Sequence, residues 1–421
     1  MREGFTKNKI KKIGKVFSGA TPKTENESFW NGEILWITPN DLSKIKSSFF
    51  SDTERKITSS GLNSCSARLL PVNSIVLSSR APIGYIAIGE KEFTTNQGCK
   101  SIVLNDNHDA LFFYYNLNSY VLKLKQLGEG TTFAEISKTY LEEFEIEFPI
   151  EKAEQTRIAE ILSTADKAIA QTEALIAKYQ RIKTGLMQDL LNNGIDASGN
   201  IRSKETHKFV VKNGIEVPEG WEVNPLRTYL KYISYGFTNP MPETAEGPFM
   251  VTAANINEGK IIYKGCRHTS WAAYNSLLTT KSKPQIDDIL ITKDGSLGRL
   301  AIVHNEEICI NQSVAVLRID KELVNVYFLK MLLESPYYQA VIIGDAGGST
   351  IKHIYITKLD KMNIAIPKKI DEQIKILQLI EEQSIYIYEL QRELLKYNSI
   401  KTGLMQDLLS GKVRVNMDNK N

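Results

Sequence analysis

Lys183-Thr-Gly-Leu-Met-Gln-Asp-Leu-Leu191 returns letter for letter as Lys401-Thr-Gly-Leu-Met-Gln-Asp-Leu-Leu409, 218 positions on (401 less 183). A chain of 421 residues whose second half restates its first contains two equivalent modules. The restatement extends outward from this stretch. Glu3-Gly4-Phe5 matches Glu219-Gly220-Trp221. Leu77–Ala87 (LSSRAPIGYIA) aligns with Ile291–Ala301 (ITKDGSLGRLA), and Asn96-Gln97 with Asn311-Gln312. Gly128–Ile136 aligns with Gly344–Ile354 once two residues are inserted. Phe148-Pro149 and Glu154-Gln155 match Ile366-Pro367 and Glu372-Gln373. The offset drifts by a few residues, as loop insertions make it do.

Each half has one plan. Residues 1–149 and 217–367 form bodies with short runs of β-branched and aromatic residues bounded by Asn, Gly and Pro. In the first body these are Ile34–Ile37, Ser74–Leu77, Tyr85–Ile88 and Ser101–Leu104. Ala110–Leu127 reads as a helix, and the alternation of Phe144–Phe148 as a last strand. The fold class is therefore α/β (α+β) bodies in tandem duplication. Residues 194–216 read as a polar, turn-rich connector, and 412–421 as a tail, disordered after Val415.

Between the bodies stand two long helices, 150–193 and 368–411. Ile158, Leu162, Ala165, Ile169, Thr172, Ile176 and Tyr179 are spaced alternately four and three apart, a heptad seam. The second copy reads Ile376, Ile380, Gln383, Ile387, Leu390, Leu394 and Tyr397. The seam is expected to continue through Ile182 and Leu186, and through Ile400 and Leu404. Asn193-Gly194 and Ser410-Gly411 are stop signals. Each apolar stripe needs a partner. The expectation is an antiparallel coiled coil between the copies, because a pseudo-two-fold axis exchanging the halves reverses one helix against the other. A helix lying on its own body would show a wider stripe. Gly185 and Gly403 sit inside the helical pattern at a cost of about 1 kcal/mol each relative to Ala. Either they allow close approach of a partner helix, the reading favoured because both copies keep the glycine, or they mark a bend. Gly185, Leu186 and Met187, with Gly403, Leu404 and Met405, are then the candidates for contact with a partner.

Composition excludes several classes. No apolar run reaches the roughly 18–20 residues of a membrane helix, and the opening residues lack the apolar core of a signal peptide. The four cysteines form no C-x-x-C pair, the pattern expected of free thiols in a reducing cytoplasm. The five histidines are dispersed, without metal-ligand spacing. Walker A, G-x-G-x-x-G, H-E-x-x-H and G-x-S-x-G patterns are all missing. Net charge is only +3, but its distribution is uneven. Residues 1–125 hold 17 Lys and Arg against 11 Asp and Glu, whereas residues 126–150 hold one Lys against six Glu. A locally basic body can face a polyanion whatever the global charge.

The remaining candidates are polar, loop-borne and duplicated. Arg80 and Lys293 occupy a turn between paired strands. Asn96, Gln97, Asn311 and Gln312 carry the amide type that pairs bidentately with adenine. Thr131, Thr132, Ser349 and Thr350 sit in Gly-rich loops whose N–H groups suit a phosphate, and Lys138 and Lys352 follow closely. Lys11 and Lys12, within a basic run from Lys7 to Lys15, and Lys23 suit anchoring on a nucleic-acid backbone. For any one of these residues, the competing reading is a turn or surface side chain satisfying its own neighbourhood.

Together these residues resemble the specificity subunit of type I restriction–modification systems. The carriers are the two-body, two-helix duplication, Phe148-Pro149 with Glu154-Gln155 and Ile158, the paired nonapeptide, Pro218-Glu-Gly-Trp221, and Leu409–Val415. The resemblance implies two target-recognition domains, each reading half of a bipartite site on double-stranded DNA. It implies helices that set the spacing and recruit two modification (adenine-methyltransferase) subunits and, through them, restriction subunits. It implies a cytoplasmic, non-catalytic chain with no cofactor or metal of its own. S-adenosylmethionine, ATP and Mg would belong to the partner subunits. A coiled-coil adaptor for proteins would never associate with DNA or a methyltransferase. A diverged nuclease or methyltransferase would form product without any partner.

Overall fold

The structure, a computed structural model, describes residues 3–128, 135–304, 307–344, 346 and 352–415, and all that follows concerns those residues. The chain divides into two compact units, 1–175 with 390–421, and 176–389. Each unit holds one body, the first part of one long helix and the last part of the other. The contact boundaries thus cut both helices, where the sequence reading kept them whole and separate from the bodies.

In the first unit, strands Gly14–Ser18, Cys99–Leu104, Ile75–Ser78, Ile86–Gly89 and Phe49–Phe50 form a sheet in that order. A second sheet runs Lys56–Ile57, Trp30–Ile37, Phe93–Thr95, and Phe5–Lys9 pairs antiparallel with Glu145–Pro149. The main sheet is buried on both faces, and strand alternation sorts its side chains between two cores. Ile75, Leu77, Ile88 and Ile102 pack with Phe112 and Phe113 of the helix Ala110–Ser119. Val76 and Ala87 point the other way, against Leu35, Ile37 and Phe93 of the second sheet. The helix expected over 110–127 is two helices, Ala110–Ser119 and Val121–Gly128, joined at Tyr120.

The second unit repeats the plan. Leu230–Tyr235, Val314–Ile319, Ile289–Thr292 and Leu300–Ile302 form the main sheet. Ile289, Ile291 and Leu317 pack with Phe328 and Leu329, while Leu290 and Val316 face Val251, Ile308 and Ile310. Trp221–Pro225 pairs with Asn363–Pro367 as Phe5–Lys9 does with its partner. The connector is more ordered than its polarity suggests. Ile195 bridges to Ile201, and Phe209–Lys212 forms a hairpin with Ile215–Pro218 across the boundary drawn at 216.

The long helices run Lys152–Asn193 and Ile370–Leu409. In each unit the start of one lies beside the end of the other, which is antiparallel pairing. In the first unit Ile158 and Leu162 share a core with Leu408 and Leu409, and Lys401 Nζ meets Asp166 at 2.5 Å. In the second, Ile376 and Ile380 share a core with Leu190 and Leu191, and the rings of Tyr179 and Tyr386 meet edge-on at 4.5 Å. Ile176 and Ile387 are buried, while Ile169, Tyr179, Leu394 and Tyr397 are half-buried. The seam does not continue as expected: Ile182 and Ile400 are exposed. A seven-residue pattern drifts by ~20° per heptad on a 3.6-residue helix, so positions that line the seam early turn outward later.

In the nonapeptide, Leu186 and Met187 are half-buried against the second body, and Leu404 and Met405 against the first. A Cβ at Gly185 or Gly403 would meet nothing within 4 Å, so neither glycine admits a helix of this chain. The stop glycines are required. Gly194 has φ +61°, and a Cβ there would run into Glu372 Oε1. Gly411 has φ +66°, and a Cβ there would lie 2.7 Å from the Phe5 ring. The tail is also ordered at its start, with Val413 N–H donating to the Asp407 carbonyl and Arg414 binding Glu154.

Candidate nucleic-acid interface

In each body, three separate segments converge at one edge of the main sheet. In the first they are the turn after Ile75–Ser78, the turn before Cys99–Leu104, and the stretch beginning at Glu135. Ser79 and Arg80 N–H groups both donate to the Gly98 carbonyl, and Ile136 N–H donates to that of Ser79. These backbone bonds fix where the side chains sit. Arg80 Nε donates to Glu135 Oε2 at 2.9 Å. Lys100 Nζ reaches Glu135 Oε1 at 3.1 Å and Ser79 Oγ at 3.2 Å. Thr21 Oγ1 donates to the Gln97 amide oxygen, which brings the segment before Lys23 to the same edge. Burial works to raise the Glu135 carboxyl pKa, but the Lys100 and Arg80 hydrogen bonds outweigh it and hold the group below its ordinary range.

The second body builds the same junction. Lys293 and Asp294 N–H groups donate to the Ser313 carbonyl, and Ile354 N–H to that of Lys293. Asp294 Oδ2 accepts from Lys293 Nζ at 2.8 Å, and Asp294 Oδ1 pairs with His353 Nδ1. Lys293 Nζ also lies 5.8 Å from the centre of the Tyr235 ring. Burial again works upward on Asp294, and His353 and Lys293 together hold its carboxyl below the usual range.

The sequence candidates divide against this geometry. Arg80, Asn96, Gln97, Lys293, Asn311 and Gln312 are brought to the two edges. Asn96 and Asn311, however, form turns. Asn96 Oδ1 accepts Gly98 N–H, and Asn311 Oδ1 accepts the N–H and hydroxyl of Ser313. Gln97 and Gln312 are the exposed amides. Lys11 is ion-paired with Glu143, as is Lys9, and Lys7 pairs with Glu145 at 2.8 Å. Part of the basic run is thus neutralised by part of the acidic stretch, because Phe5–Lys9 and Glu145–Pro149 are paired strands and the short helices beside them carry Lys11 and Glu143. Lys12 and Lys23 are exposed, Lys138 pairs with Glu142 at 3.5 Å, and Lys352 is exposed. Thr131, Thr132, Ser349 and Thr350 lie outside the described residues. Sequence reading missed Lys100, Glu135, His353 and Tyr235. The signal for two of them was present: aligning Ile136 with Ile354 sets Glu135 opposite His353, as it sets Arg80 opposite Asp294.

Among the described residues no group of three His, Cys, Asp or Glu is placed to hold a metal ion, and no helix is long and apolar enough to cross a membrane. All four cysteines are free thiols, and burial pushes Cys309 up to about 12.

The family described as the type I restriction modification DNA specificity domain matches residues 2–181 and 241–396. The type I restriction enzyme MjaIX specificity subunit of Methanocaldococcus jannaschii is 31% identical over 423 residues, covering 97% of this chain and 93% of its own. The crystal structure of the HsdS subunit from Thermoanaerobacter tengcongensis is similar at a TM-score of 0.56 and 16% identity, with 98% of each chain covered. A chain solved in work on assembly and conformational transition of the type I R-M system is similar at a TM-score of 0.63 and 14% identity, covering 98% of this chain and 99% of that one.

Proposed function

We propose, for a chain that belongs to the type I restriction–modification DNA specificity family, that each body reads one half of a split DNA sequence while the long helices hold the two readings at a set spacing. The chain is a DNA-specificity subunit, and the chemistry belongs to other subunits. It works with two modification subunits that bind S-adenosylmethionine and methylate adenine, and through them with restriction subunits that use ATP and Mg. Its place is the cytoplasm, with the DNA.

One observation carries the reading. The same three-segment junction occurs once per body, on the same frame, with different side chains. Two unlike half-sites call for that arrangement. A helix of 42 residues spans about 63 Å at about 1.5 Å per residue, ample for half-sites one or more turns of duplex apart.

Methylation mapping of cells with and without the chain, together with its modification subunit, tests the proposal. The expected result is methylated adenine within a two-part motif that disappears when the chain is removed. A contiguous motif, or none, would overturn it. Adding four residues to both helices should lengthen the unread spacer. An unchanged spacer removes the role of the helices as a ruler.

A further inference from the structure

Arg80 and Asp294 are equivalent by the repeat, as are Glu135 and His353. Each pair closes the same junction, Arg80 on Glu135 at 2.9 Å and Asp294 on His353. The charge is inverted between the bodies: in one the turn supplies the cation, in the other the anion. We propose that these two pairs are specificity-determining positions, each reading one base pair of its half-site through a different exposed side chain, Arg80 in the first body and His353 in the second. The proposal deepens the DNA-reading role given above and rests on it.

In the first body, Glu135 is used inward. One oxygen takes Arg80 Nε and the other takes Lys100, whose side chain is only 5% exposed. Arg80 is therefore held by one edge of its guanidinium, on a side chain 49% exposed. Its two terminal nitrogens make no hydrogen bond among the described residues. A planar pair of donors, fixed in direction by the Nε bond to Glu135, suits the O6 and N7 acceptors of guanine in the major groove.

In the second body, Asp294 is the group used inward, by Lys293 and His353. The exposed partner is His353, 41% open. Asp294 takes its Nδ1, which leaves Nε2 for the edge of a base. A pair that served only to latch the junction would need no such difference between the bodies.

The test selects binding sites from a library of random duplexes with the full chain bound to its modification subunits. The wild-type complex should select a two-part site with guanine at one position of one half. Arg80→Gln should lower the preference for that guanine by roughly tenfold or more and leave the other half and the spacer unchanged. His353→Ala should relax one position of the opposite half alone. The double exchange Arg80→Asp with Glu135→His installs the acid and histidine of the second body, with the introduced carboxylate replacing Glu135 as the partner offered to Lys100. It should replace the guanine preference with the one found for the second body. Thermal unfolding of each complex identifies a variant that has lost its fold, and the double exchange then carries the test. Unchanged selection in variants that fold overturns the proposal, as does uniform weakening of every site without a change in preference. A wild-type complex that selects no split site removes the parent reading as well, and that failure is visible before any variant is made.

Discussion

Glu154 and Glu372 stand at one point of the repeat, and each is met by an arginine from the chain that follows the end of a long helix. Arg414 Nη2 binds Glu154 at 2.7 Å, and Arg202 Nη2 binds Glu372 at 3.1 Å. Arg80 and Asp294 also stand at one point, but there the charge is inverted. The first comparison shows a frame restated, and the second shows a junction restated with its chemistry changed. What the modules share is the means of holding a turn in place, and what they do not share is what the turn offers. Buried Gln155 and Gln373 follow the first pattern. Each donates to a proline carbonyl, of Pro149 or Pro367, and accepts the N–H of a helix-capping residue, Asp109 or Asn325.

Breaking the frame should have the largest effect. Trp221 is buried in the second unit and its indole N–H donates to Glu372 at 3.1 Å. Trp221→Ala should cost about 3–5 kcal/mol, seen as a lower denaturant midpoint and lost hydrogen-exchange protection in that unit. Phe5, its equivalent, fills the same place without a hydrogen bond, so Phe5→Ala should cost less. Equal losses would show that the indole contact contributes nothing. The arginines follow. Arg202→Met should cost about 1–2 kcal/mol, because Glu372 keeps the N–H groups of Trp221 and Ile195. Arg414→Met should destabilise its unit more, since it leaves Glu154, 4% exposed, with no side-chain partner among the described residues. The reverse order would mean that water replaces Arg414 without loss.

One frame contact is not restated, and it sharpens the comparison. Asp166 accepts from Tyr115 Oη at 2.6 Å and from Lys401, tying a body helix to both long helices in the first unit. The equivalents of Tyr115 and Asp166 in the second unit are Met331 and Ser384, and the Ser384 hydroxyl bonds within its own helix, to Ile380. Tyr115→Phe should therefore cost about 1–2 kcal/mol through the first unit alone. Ser384→Asp offers Lys183 what Lys401 already has and should gain up to about 1 kcal/mol. Thermal unfolding of both variants decides it, and a loss on Ser384→Asp would show that the two helix pairs are not interchangeable.

The duplication, the bodies, the helices and their antiparallel pairing were legible because each is written in identity or periodicity. Ile158 and Ile376 lie where the heptad puts them. The docking of Leu190 and Leu409 on the bodies was not legible, since a heptad names an apolar face without naming what covers it. At the candidate site, Arg80 and Gln97 could be found as turn residues in a repeated pattern. Lys100 could not, because a lysine inside a strand reads as surface until the sheet is assembled and its ammonium is found against Glu135. Asn96 and Asn311 show a further limit: an asparagine that forms a turn and one that reads a base look alike in sequence.

The basic stretch supplies the weakest contrast. In the second body Val223 and Pro225 stand at the places of Lys7 and Lys9, and Lys11 has a basic counterpart in Arg227. Lys11 and Lys9 hydrogen-bond to Glu143 and hold its carboxyl at about 2. A depressed carboxylate contributes its interaction above the ordinary value near ~4.3 and loses it only as pH falls toward the folded value. Glu143 is therefore ionised at any pH used for DNA binding. Glu143→Gln should release both lysines, raise affinity for non-cognate duplex a few-fold at low salt, and steepen the salt dependence by up to the equivalent of two phosphate contacts, a slope change of roughly 1.8. Site preference should not change, because phosphate contacts carry no sequence information. If affinity and salt slope both stay at the wild-type values, this face of the first body does not approach DNA, and Lys11 belongs to the frame rather than to the interface.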